Sequence, residues 1–165
     1  MLSTFPAPED YAGTIKGTLL WLNMFMMFFM FQSFSKLYLY QVKAVEAKSK
    51  EKPIPPFPEI KYYNNKDALA MLGDRLVGNT LEQGIVFLPL LWLHAVFVDP
   101  TISLTLAQVY VAARALYPIL YFFFFPGVTN NNNNLNRQSH AYIFSTMPGY
   151  AVNTYMMVKL YFALP

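Results

Sequence analysis

Arg75, Asn79 and Glu82 open an apolar run, RLVGNTLEQGIVFLPLLWL (residues 75–93), at spacings of four and three. On a helix turning about 100° per residue, Asn79 falls near 40° from Arg75 and Glu82 near −20°, so the three share one narrow stripe. A second set, Tyr110, Arg114, Tyr117 and Tyr121, repeats at steps of four, three and four, a stripe about 60° wide by the same arithmetic. Two arginines suit carboxylates through paired hydrogen bonds. A carboxylate beside them suits an ammonium group, and tyrosines stack or hydrogen-bond. The inventory fits a small zwitterion with two carboxylates; glutathione is one such molecule, though the chemistry alone does not single it out. The plainer alternative is an Arg114–Glu82 pair that only fixes helix packing, since an arginine within a membrane helix points inward and is paired.

The elements that must position these residues are membrane helices. Of 165 residues, 55% are hydrophobic and only 13% charged, about half the charged share of a soluble domain. Four apolar stretches are long enough to span a bilayer core of about 30 Å: residues 17–40, 66–98, 102–125 and 141–164. The expected architecture is an all-α membrane protein, a four-transmembrane-helix up-down bundle forming one domain. The first stretch is too long and too bulky for a cleaved signal peptide. Four prolines between Pro53 and Pro58 mark residues 44–65 as loop, Asp99-Pro100 breaks the chain between the second and third helices, and the asparagine run places 126–140 in a second loop. Pro148-Gly149 is expected to kink the fourth helix. Lysines crowd the first long loop and Arg137 sits in the second, which places both loops on the cytoplasmic or equivalent side.

Glu82 lies 17 residues before Asp99 and Arg114 lies 15 after it, so in antiparallel helices their levels differ by only about 3 Å. The two stripes are therefore expected to face one another, with Glu82 as the partner of Arg114. There is no cysteine, and His94 and His140 stand far apart, so no metal site is expected. His94 reads as an interior hydrogen-bonder, Trp21 and Trp92 as packing or interface aromatics, and Lys159 as a snorkelling side chain. The net charge of +3, with lysines gathered in one segment, argues against nucleic acid as a partner.

The two stripes resemble those of the membrane-associated proteins in eicosanoid and glutathione metabolism, the MAPEG family. That family opens its second helix with arginine, asparagine four on and glutamate three further, as in RLVGNTLEQ, and flanks an arginine with tyrosines in its third, as in YVAARALYPILY. The resemblance covers residues 66–125 well. It implies a homotrimer with glutathione as cosubstrate, held between neighbouring subunits. Arg75 and Arg114 would meet or support its carboxylates, Glu82 its amino group and Asn79 its backbone, with Tyr117 and Tyr121 lining the site. Catalytic members use an arginine just after helix three to favour the thiolate, because a nearby cation lowers a thiol pKa from about 8.5. Here that stretch reads FFFFPGVTNNNNN, and Arg137 is the one cation displaced beyond it. A second basic position at the end of helix one is Glu46 here, with Lys43 and Lys48 nearby.

Three functions follow as expectations. One is a glutathione transferase or peroxidase acting on lipophilic molecules that enter from the lipid bilayer. The second is a non-catalytic lipid-binding member, and the third an accessory subunit of a larger membrane complex. All place the chain in an endomembrane or organellar membrane.

Overall fold

A computed structural model describes residues 8–62, 67–124 and 135–164, all of whose regular structure is helical. A 3-10 turn, Pro8–Tyr11, leads into α1 (Ala12–Ser49); α2 (Phe57–Lys61), α3 (Ala68–Phe97), α4 (Ser103–Phe124) and α5 (Leu135–Ala163) follow. Among the described residues, three helical stretches are long and apolar enough to cross a membrane, Glu9–Ser49, Ala68–Phe97 and Ser103–Leu120. The fourth expected span is helical within α5, but Ser145, Thr146, Asn153, Thr154 and Lys159 dilute its apolar character.

Several boundaries differ from those expected. α1 begins at Ala12 and continues to Ser49, so residues 44–49 are helix, not loop. Ala44, Glu46, Ala47 and Lys48 are good helix formers, and Lys50 pairs with Glu46 one turn back. Glu51, at φ 52°, takes the left-handed conformation that ends the run. Inside the expected first loop, Pro56 and Pro58 start the short α2, proline being tolerated in a helix's first turn because no donor is needed there. α5 starts at Leu135, six residues ahead of the expected 141, and runs continuously through Pro148.

The chain forms two compact units, residues 25–81 and residues 1–24 with 82–165. In the first, α1 and α3 run antiparallel: Asp74 accepts from Gln32 (2.6 Å) and pairs with Lys36 (2.6 Å), while Asp67 pairs with Lys43 nearer the start of α3. α2 docks here through buried Ile60, the Phe57 ring edge-on to Tyr40, and a bond from Lys36 Nζ to the Lys61 carbonyl (2.7 Å).

The second unit packs the start of α1 against the end of α3, with α4 on α5. Small residues allow the approach: a Cβ on Gly17 would lie 2.6 Å from that of Ala107, and one on Gly84 would overlap the Trp21 ring. Phe87 stacks on Tyr110 at 3.8 Å between centroids. The α3–α4 turn is closed by the Val98 and Asp99 amides donating to the His94 carbonyl, both at 2.9 Å. Asp99 Oδ1 accepts from the Thr101 amide (2.8 Å) and hydroxyl (2.7 Å). That hydroxyl and amide hold the Asp99 carboxyl below its ordinary range.

Candidate functional site

In the residue 25–81 unit, Arg75 is exposed and Asn79 half-buried and engaged. Their position follows from Gly73, whose Cβ would meet the Gln32 backbone at 3.0 Å. With Gly73 against α1, Arg75, about 200° further round, faces away. The neighbouring Asp74 holds the Lys36 ammonium in an interhelical pair whose lysine side chain is 12% exposed. Lys36 and Asp74 are charges inside apolar stretches, and such charges need partners, a signal that the sequence itself carries.

In the other unit the same rule places Glu82. Gly84 lies beneath the Trp21 ring, so Glu82, two residues earlier and about 160° away, is exposed. Arg114 is the reverse, only 4% exposed. The expected Glu82–Arg114 ion pair is therefore not formed. The guanidinium instead donates to the Thr146 hydroxyl (3.5 Å) and lies within reach of the Tyr110 hydroxyl. Tyr110 donates to Gln83 Oε1, and Gln83 Nε2 donates to the Tyr150 hydroxyl, each at 3.5 Å. Arg114 thus joins a chain of neutral hydrogen-bonding groups on α3, α4 and α5 that runs from buried Thr146 and Tyr110 out to exposed Tyr150. Gln83, Thr146 and Tyr150 were not anticipated; Thr146 is buried, Gln83 half-buried and Tyr150 exposed, and the signal they share is a polar group within an otherwise apolar helix.

Tyr117 is half-buried and engaged on α4. Tyr121 is on α4 and Arg137 on α5 by backbone, but their side chains lie outside the described residues, as does the 125–134 stretch where a thiolate-stabilising cation was sought. Among the described residues no group of three or more His, Cys, Asp or Glu could hold a metal ion.

Long apolar helices that carry a few engaged polar groups in their interior and charges on an outward α3 face define an integral membrane protein, which resides in a lipid bilayer. Residues 17–160 match the model of the MAPEG family. The chain belongs to that family. An uncharacterized protein, sll1147, from Synechocystis sp. is 48% identical over 48 residues, 29% of this chain. The matched stretch spans about a third, 35%, of that relative's own length. No solved structure matches the chain.

Proposed function

We propose that the protein binds glutathione through the α3 motif and uses it as a transferase or peroxidase on lipophilic molecules from the bilayer, within a homotrimer. The observation that carries this reading is the outward placement of Arg75 and Glu82 on a membrane-length helix. A charge at the middle of a lipid-facing helix costs about 2.5–3.5 kcal/mol or more. A neighbouring subunit with a charged ligand between would remove that cost, and family membership supports the arrangement.

In this reading Arg75 takes a glutathione carboxylate in a paired hydrogen bond, Glu82 accepts from its ammonium, and Asn79 bonds its peptide backbone. Tyr117 and Tyr121 are further contacts. The burial of Arg114 among Tyr110 and Thr146 favours a supporting role for it. In the transferase reaction the glutathione thiolate attacks an electrophilic carbon; a thioether forms and the leaving group departs with its electron pair. Arg137 is the candidate for stabilising that thiolate.

The second reading, a non-catalytic lipid-binding protein or accessory subunit of a larger complex, is favoured by FFFFPGVTNNNNN, which contains no cation. Calorimetric titration of glutathione into detergent-solubilised protein separates the possibilities. The expected result is binding by the wild type, at least tenfold weaker in Arg75→Ala and Glu82→Ala. No binding by folded wild type refutes the glutathione reading. Binding without conjugation of an aromatic electrophile above the protein-free rate moves the assignment to the second.

A further inference from the structure

The 98–102 turn marks the end of the residue 1–24/82–165 unit where α1 and α4 begin and α3 stops. Four polar residues, one from each of four helices, are buried toward this end: Thr14, His94 and Ser103 completely, Asn153 at 7% exposure. Five of their atoms, Thr14 Oγ1, His94 Nδ1 and Nε2, Ser103 Oγ and Asn153 Oδ1, make no well-formed hydrogen bond among the described residues, the imidazole having only a backbone contact at Asp99.

Helix register brings them together. Cβ atoms on Gly13 and Gly17 would meet the Pro100 carbonyl and Leu104, and the Ser103 carbonyl and Leu91, respectively. Thr14, between those glycines, therefore sits where the first turn of α4 meets the last turns of α3, and His94 lies one turn beyond Leu91. α5 runs antiparallel to α4, with Gly149 beside Tyr110 and Thr146 at Arg114. Continuing that register places Asn153 about one turn from Ser103. Tyr155 of α5 reaches the His94 ring at 5.9 Å, which fixes α5 at this height.

A buried polar atom without a partner forfeits the hydrogen bond that water gave it. Several together would cost a large share of a domain's stability. The set mixes donors and acceptors: two hydroxyls, an imidazole with one of each, and an amide oxygen. No carboxylate belongs to it, and the charged groups within electrostatic reach of the imidazole, Asp99 and Lys159, oppose each other in sign. A hard cation would want oxygens throughout, and an anion would want more than neutral donors. Water satisfies both roles and makes two to four such bonds in protein interiors. We infer that one or two ordered water molecules occupy this site and bridge Thr14, His94, Ser103 and Asn153, tying together the ends of four helices.

Water-edited NMR of the full chain, labelled with 15N-histidine and held in lipid nanodiscs, reads the site directly. The protein has two histidines, so His140→Gln leaves the His94 imidazole as the single signal. The expected result is a cross-peak to slowly exchanging water, reduced at least twofold in Ser103→Ala and, independently, in Thr14→Val, with helical circular dichroism retained. Should either variant fail to fold, the other gives the same reading. A folded wild type with no water contact at His94, a contact that neither folded variant weakens, or a signal that follows sodium or potassium concentration overturns the inference.

Discussion

Replacing Gly84 by alanine tests whether the helix faces are set as described. A Cβ at this position overlaps the Trp21 Cζ2 and lies 2.8 Å from Cη2 and 3.1 Å from Cε2. Ordinary contact is about 3.5–4.0 Å, and Trp21 is a rigid indole with 4% of its surface exposed, so it must move within a filled core. Overpacking of this kind costs about 1–3 kcal/mol. The overlap with rigid ring atoms puts Gly84→Ala at the upper end. Alanine returns up to about 1 kcal/mol through its helix preference. The net expectation is a loss of about 2 kcal/mol, roughly a 30-fold fall in the folded-to-unfolded ratio at 1.4 kcal/mol per decade. Reversible unfolding in mixed detergent micelles, followed by circular dichroism, measures it. Gly78→Ala is the control, since nothing lies within 4 Å of its Cβ position. In a Trp21→Leu background the Gly84→Ala penalty should largely disappear. If Gly84→Ala is no more harmful than Gly78→Ala, or if Trp21→Leu leaves its effect unchanged, the placement of α3 against α1 is refuted, and with it the outward facing of Glu82.

Two further perturbations address other parts of the chain. Asp74→Leu should destabilise by about 1–3 kcal/mol, less than the 3–5 of a fully buried pair, because the Asp74 side chain is 38% exposed; Lys36→Met combined with it should recover most of the loss in the same assay. At the α3–α4 turn, the Asp99 carboxyl is held low by the Thr101 hydroxyl and amide. Its contribution is therefore complete above the unfolded carboxyl pKa of about 3.9 and is lost as pH falls through the lower folded value. Thr101→Val should be less stable than wild type at pH 7, with the gap closing below about pH 4; a gap independent of pH would remove the hydroxyl–carboxylate bond from the account.

The apolar stretches and the Asp99-Pro100 break are legible because length, hydropathy and proline chemistry are local properties. Spacing within a helix is equally local, so the Arg75–Asn79–Glu82 stripe could be drawn from the sequence. Which way that stripe turns is not local. It depends on where two helices come closest, and on α3 that is set by Gly73 against Gln32 and Gly84 against Trp21. Each glycine lies two residues from a motif charge, nearly opposite it around the helix. Matching Glu82 to Arg114 by depth addressed their level and left their rotation open. The extension of α1 to Ser49 and the fold of α2 were hidden for a different reason: charged, proline-bearing sequence reads as loop until Lys36, Lys43 and Ile60 are seen to find partners on neighbouring elements.

α3, α4 and α5 each carry one proline within the helix, Pro89, Pro118 and Pro148. A proline offers no amide hydrogen, so the carbonyls of Ile85, Arg114 and Phe144 each lose their usual helical donor. At those places the backbone ladder lacks a rung, and a helix resists bending least where a rung is missing. Mechanical compliance should therefore be concentrated at one joint in each of the three helices instead of being spread along their lengths. One of those joints coincides with Arg114, so bending of α4 would act on the turn that carries this buried guanidinium.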